Sequence, residues 1–99
     1  MPITRINTFV AKPGQASALR EFLSSIIALI IDAPGCDSVE LLVEHEAPER
    51  FAIVEIWETI EAHQAAASHI PRDLFQKAQT LFATPAVGAY YQSLLRRTG

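Results

Sequence analysis

The 99-residue sequence predicts a single α+β domain, residues 1–99, with the element order β-α-β-β-α-β. Three observations carry that expectation. Short segments rich in β-branched and aromatic residues alternate between apolar and polar positions, as half-buried strands do. Between them lie stretches whose apolar residues recur every three or four positions, the spacing of an amphipathic helix. Prolines at 13, 34, 48, 71 and 85 fall at the joints, where a missing N–H and a fixed φ interrupt regular structure.

Thr4 to Ala11 (T-R-I-N-T-F-V-A) forms the first strand, with Ile6, Thr8 and Val10 alternating against Arg5, Asn7 and Phe9. Pro13-Gly14 ends it and opens a helix, proline being tolerated before the first turn and glycine able to cap. From Ala16, the residues Leu19, Phe22, Leu23, Ile26, Ile27, Ile30 and Ile31 make one apolar stripe, and Arg20, Glu21, Ser24 and Ser25 face water. Pro34-Gly35 stops this helix, because the residue before a proline avoids the α region. Val39 to Glu46 then sets Val39, Leu41 and Val43 against Glu40, Glu44 and Glu46. A turn at Ala47-Pro48-Glu49-Arg50 leads into Phe51 to Trp57, a strand apolar on both faces and therefore buried on both. Thr59 caps a second helix with Glu61 in its first turn, where the macrodipole favours a carboxylate. That helix breaks at Ile70-Pro71, resumes with Leu74, Phe75, Ala78, Leu81 and Phe82 on one face, and stops at Thr84-Pro85. Val87 to Leu95 fits a helix by its apolar spacing and a strand by Gly88 and Tyr90-Tyr91; a fourth strand completes the pattern.

This order is the ferredoxin-like arrangement. Helices of this number cover one face of a four-stranded sheet, yet the strands carry apolar residues on both faces. The second face therefore requires a second copy of the chain, a homodimer joined through the sheet. A hydrophobic share of 49% in so short a chain supports the same conclusion, since it exceeds what one small core absorbs.

Composition removes several classes of function. Eight Lys and Arg against eleven Asp and Glu leave a formal charge of −3, with no basic footprint for a nucleic acid. Cys36 is alone, so no internal disulfide can staple the chain. The longest apolar run, Ile26 to Ile31, has six residues where a bilayer needs about 20, so no membrane partner is expected. No basic segment followed by an apolar one opens the chain, and a cytoplasmic protein is the expectation. His63 and His69 stand six apart, roughly 600° of helical rotation, and do not share a face, so no metal site is expected.

Phe51 to His63 reads F-A-I-V-E-I-W-E-T-I-E-A-H. It resembles the antibiotic biosynthesis monooxygenase family, whose third strand ends in Glu-x-Trp, an acidic residue and Ser or Thr before a helix. Lys12-Pro13-Gly14 before the first helix, Pro34-Gly35-Cys36 before the second strand, and the paired tyrosines after Pro85 are similar to the family in order and spacing. The resemblance covers essentially the whole chain. It implies a dimeric α+β barrel with a pocket between the sheet and the helices of each subunit. It also implies oxygenation of electron-rich quinols or anthrones by molecular oxygen without metal, flavin or haem. Relatives of this shape degrade haem, isomerise lactones or lack demonstrated activity. Where family members often carry a histidine one turn into the second helix, this chain has Ala66, with His63 and His69 three residues to either side. The haem-degrading branch places a tryptophan in that helix; Ala66 stands there instead, and haem degradation is disfavoured.

Cofactor-free oxygenation needs a base to form a phenolate or carbanion, donors to hold the oxyanion, and apolar walls that exclude water. A histidine titrates in the right range, so His63 and His69 are the candidate catalytic bases, while His45 reads as solvated. Asn7, Trp57, Tyr90 and Tyr91 are the candidate substrate-binding residues, with Trp57 as wall and donor. Tyr90 and Tyr91 point to opposite faces of a strand, so at most one meets a given pocket. Glu55 shares a strand face with Ile53 and Trp57; it either pairs with Arg5 across the sheet, the favoured reading, or has a raised pKa. Cys36 reads as a small buried filler. The expected function is a cofactor-independent monooxygenase acting on an aromatic quinol or polyketide-like substrate with O2. The alternatives are a non-catalytic small-molecule-binding dimer and an isomerase on the same barrel.

Overall fold

The computed structural model describes residues 2–99. Its elements run β1 (Ile3–Val10), α1 (Ala16–Ile30), β2 (Cys36–Glu44), β3 (Ala47–Trp57), α2 (Ile60–Ser68), α3 (Arg72–Leu81) and β4 (Val87–Tyr91). The four strands form one antiparallel sheet in the order β2-β3-β1-β4. The ferredoxin-like order is therefore present, with the second helical region divided in two. Pro71 does the dividing. Its backbone sits at φ −56° and ψ 138°, outside the helical region, so α3 starts afresh after a short corner.

Three local details differ from expectation. The β2–β3 hairpin turns at His45-Glu46, ahead of Ala47-Pro48-Glu49-Arg50, which belong to β3. The ladder jumps from Val43↔Phe51 to Glu44↔Ala47, so Pro48, Glu49 and Arg50 lie in a bulge where a missing N–H costs no ladder bond. Glu49 and Arg50 instead serve the other side of the strand, pairing with the end of β1 through Val10↔Arg50 and the Ala11 N–H to Glu49 carbonyl bond. β2 correspondingly begins at Cys36, three residues earlier than the alternation suggested. At the start of α1 the N-cap is Gln15, with no side-chain cap; Gly14 turns the chain just before it at φ 77°, a left-handed conformation that glycine, lacking a Cβ, adopts without steric cost. Thr59 does cap α2, its Oγ1 accepting from the Ala62 N–H at 3.0 Å.

Burial alternates strictly along β3. Phe51, Ile53, Glu55 and Trp57 are buried beneath the helices, while Ala52, Val54 and Ile56 turn to the other face and remain half-exposed. The helix-side core has two parts. One gathers Leu19, Phe22, Leu23, Phe51, Ile53, Ala78 and Leu81; the other gathers Ile3, Ile30, Trp57 and Ala66. Apolar walls between these two parts leave room for a cavity. Among the described residues no helix packs on the opposite face, where the register sets Ile6 beside Val54 and Ala89, and Thr4 beside Ile56 and Tyr91. No helix among the described residues is long and apolar enough to cross a membrane.

Candidate active site

The cavity between sheet and helices has a volume of about 280 Å³. Its walls are apolar, with Phe9, Phe22, Leu23, Ile53 and Phe82 prominent, and its polar groups gather at one end: Arg5, Asn7, Glu55 and His63. The strands place them there by register. Arg5 and Asn7 alternate on the helix-facing side of β1, directly opposite Glu55 and Ile53 of β3, while Tyr90 and Gly88 of β4 lie opposite Arg5 and Asn7. His63, four residues after the Thr59 cap, comes from the first turn of α2.

These side chains form a closed ring of contacts. Arg5 Nε donates to Asn7 Oδ1 at 3.2 Å, and Asn7 Nδ2 donates to Glu55 Oε2 at 3.3 Å. Trp57 Nε1 donates to Glu55 Oε1 at 2.8 Å, and His63 Nε2 stands 3.8 Å from that same oxygen. His63 Nδ1 is in hydrogen-bond contact with the Tyr90 hydroxyl. Tyr90 closes the ring by carrying the Arg5 guanidinium over its face, 4.6 Å from the ring centre. The His63 ring meets both Trp57 and Tyr90 edge-to-face, at 5.4 and 5.3 Å between centroids.

Burial governs the ionisation of this cluster. It pushes the Glu55 carboxyl above its ordinary value, against the smaller opposing pull of the Trp57 hydrogen bond, the Arg5 charge and the Asn7 hydrogen bond. Burial also depresses His63, and the positive charge of Arg5 adds to that. At neutral pH His63 is thus an uncharged imidazole. The 3.8 Å contact with Glu55 is correspondingly a contact across a gap and no ion pair. In the Nε2–H tautomer Nδ1 accepts from the Tyr90 hydroxyl; in the Nδ1–H tautomer it donates to it. The expected ion pair of Arg5 with Glu55 is also absent: the two face each other in register, but the Asn7 amide bridges them and the raised pKa is what the site contains.

Of the residues singled out in the sequence, the structure brings Asn7, Trp57, His63 and Tyr90 together. Trp57 spends its N–H on Glu55 and is fully buried, which makes it a wall and an anchor and leaves it no donor for a ligand. His69 lies elsewhere, exposed at the C-cap of α2, in a shallow groove with Leu29 and Ala33–Gly35. Tyr91, half-exposed, is on the opposite face of the sheet. His45 is exposed in the hairpin turn. Cys36 is partly buried, and desolvation pushes its thiol pKa up, as suits a packing residue.

Gly88 is the member that sequence reasoning passed over. A Cβ there would collide with Asn7 Oδ1 and with Arg5 Nη2, so only glycine lets β4 close over these two side chains. A glycine inside an otherwise β-prone run was the available signal. Gly88→Ala is expected to keep the fold yet displace Asn7 from Glu55, and a carboxyl titration by NMR should find Glu55 protonated to higher pH than in the parent protein. An unchanged Glu55 titration would mean that Asn7 holds its place without the glycine.

A neutral imidazole beside a buried carboxyl, a guanidinium and a phenol, all at one end of a greasy cavity, defines a site suited to acid–base work on an apolar ligand. The family model described as antibiotic biosynthesis monooxygenase matches residues 2–81, and the chain belongs to that family. Solved structures agree in fold. A Bordetella bronchiseptica protein, named as a candidate antibiotic biosynthesis monooxygenase, is 25% identical with a TM-score of 0.79, over 95% of this chain and 98% of its own. The Mycobacterium tuberculosis protein Rv0793 is 20% identical with a TM-score of 0.86, over 99% and 100% of the two chains. A variant of SnoaB, a cofactor-independent oxygenase from Streptomyces nogalater, is 15% identical with a TM-score of 0.84, over 96% and 95%. No curated protein matches the chain in sequence.

Proposed function

We propose that this protein is a cofactor-independent monooxygenase that oxidises an aromatic quinol or phenol in the cavity with molecular oxygen, His63 acting as the base. The observation that carries the proposal is a buried His63 at the polar end of an apolar cavity, its Nδ1 on the Tyr90 hydroxyl and its pKa held below the ordinary value by burial. A substrate hydroxyl that takes the place of the Tyr90 hydroxyl on Nδ1 gives up its proton there. As the ring becomes cationic, Nε2–H closes toward Glu55, which compensates the new charge. The phenolate passes an electron to oxygen, the radical pair closes to a peroxide on a ring carbon bearing hydrogen, the peroxide takes back the proton held by His63, and loss of water with the ring hydrogen leaves the quinone. One oxygen atom enters the product and the other leaves as water, with every electron drawn from the ring. The protein's part is deprotonation, orientation by Asn7, and walls that keep bulk water from the radical pair.

Oxygen uptake by the purified protein over a panel of quinols tests the proposal: consumption with equimolar quinone formation supports it, and uptake no faster than the chemical blank overturns it. Binding without uptake would leave the binding-protein reading. Turnover of a lactone without oxygen would favour the isomerase.

The working form in this proposal is a homodimer. Ile6, Leu42, Val54, Ile56 and Tyr91 share the uncovered sheet face, and Leu42 and Tyr91 are 43% and 51% exposed. Apolar sheet of this extent is ordinarily shielded by a partner. Val54→Asp, at the centre of that face, is expected to shift the sedimenting species from two chains to one at micromolar concentration; a parent protein that already sediments as one chain would refute the dimer.

A further inference from the structure

We infer that the cavity receives a flat aromatic ligand of about two fused rings bearing an anionic oxygen group, and that Arg5 is the residue that selects the anion. The inference deepens the proposed function and rests on it only in taking this cavity as the ligand site; it concerns what is bound, whether or not oxygen then reacts.

Arg5 is held from two sides. One of its five N–H donors, on Nε, is taken by Asn7, and the guanidinium plane is steadied by the Tyr90 ring. The terminal nitrogens have no hydrogen-bond partner among the described residues, although Arg5 lines the cavity. No hydrogen bond joins them to the natural counter-charge, Glu55, which Arg5 meets only across the Asn7 amide. Both oxygens of Glu55 are engaged, by Trp57 and by Asn7, and the carboxyl is buried behind the Asn7 amide. An incoming neutral hydrocarbon would strip water from the guanidinium and give nothing back, which is costly. A carboxylate or phenolate answers the same donors with charge-assisted, two-pronged hydrogen bonds. Gly88 keeps this position open, because a side chain there would occupy the space of the guanidinium itself.

Size follows from volume. An apolar protein cavity of about 150 Å³ accommodates one benzene ring. The 280 Å³ here is somewhat under twice that, room for about two fused rings within the walls. The aromatic walls, Phe9, Phe22, Phe75 and Phe82, suit a flat occupant.

The test is a binding titration followed by Trp57 fluorescence under nitrogen, with naphthoate and its methyl ester as an anionic and a neutral ligand of equal ring size. The expected result is tenfold or stronger preference for naphthoate in the parent protein. Arg5→Gln should abolish the preference, and Arg5→Lys, which keeps the charge, should retain part of it. Para-nitrophenol supplies the phenolate arm, since its yellow colour reports ionisation: bound to the parent protein it should ionise at lower pH than free, and bound to Arg5→Gln it should not. A shift with para-nitrophenol and no preference for naphthoate would identify phenolate as the ligand chemistry; the reverse would identify carboxylate. Equal binding of acid and ester with no para-nitrophenol shift, a preference that survives Arg5→Gln, or no binding of any of the three would overturn the inference. Because no arm contains oxygen, these outcomes are independent of the uptake assay that tests the oxygenase.

Discussion

His63→Ala is expected to lower turnover about a hundredfold or more while leaving the fold intact, the range by which a positioned base accelerates proton transfer. The side chain takes no part in the Thr59 cap of α2, so the helix keeps its start. The cost of losing its contacts with Trp57 and Tyr90 is measured separately by thermal unfolding, and a variant that stays folded yet loses turnover assigns the loss to chemistry. The pH profile should carry the same information. The base must be uncharged to act, and its folded pKa lies below the ordinary 6.5 because burial and Arg5 both disfavour the imidazolium. Activity in the parent protein is therefore expected to be flat through neutrality and to fall only as pH drops through that depressed value. Removing the Arg5 charge should move the acid limb toward higher pH. Full turnover in His63→Ala would take the histidine out of the mechanism.

Trp57→Ala is expected to remove about 3–5 kcal/mol of folding stability, the usual cost of truncating a buried aromatic to a methyl. A domain of this size has a total of about 5–15 kcal/mol to lose. Trp57 is fully buried and packs with Ile3, Ile30 and Ala66, so its loss opens a hole between sheet and helices. The substitution also strands a carboxylate oxygen. Trp57→Phe separates the two contributions: it restores most of the volume but not the N–H that Glu55 accepts, and is expected to cost about 1–3 kcal/mol. The same variant should push the Glu55 pKa higher still, since the Trp57 bond is the foremost influence holding it down. Denaturant unfolding measures both. A Trp57→Ala protein within about 1 kcal/mol of the parent would contradict the packing described for this residue.

Much of the fold was legible because each strand writes its own alternation. Ile6, Thr8 and Val10 against Arg5, Asn7 and Phe9 marked the two faces of β1, but it is the face carrying Arg5, Asn7 and Phe9 that meets the helices, which the alternation alone did not say. The K-P-G and Ile70-Pro71 breaks located α1 and the gap between α2 and α3 within a residue or two. The hairpin was misplaced, because Pro48-Glu49-Arg50 has turn chemistry and only the pairing of Arg50 with Val10 across the sheet reveals it as a bulged strand. For the site, the residue types were visible and their company was not. His63 and His69 were equivalent candidates by composition; the corner at Pro71 and the packing of α2 send one into the cavity and leave the other at the surface.

From the order of its residues alone, the chain determined its secondary elements, their sequence along the polypeptide, and the surplus of apolar strand that one set of helices cannot cover. Those are properties of local propensity and period, which act between near neighbours. Tertiary structure decided that Arg5 and Glu55 should meet through Asn7 and not directly, that Trp57 should donate inward, and that Gly88 should yield its space to a guanidinium. The reason is physical: a pKa or an open donor depends on the burial and the partners a group acquires from strands far apart in sequence.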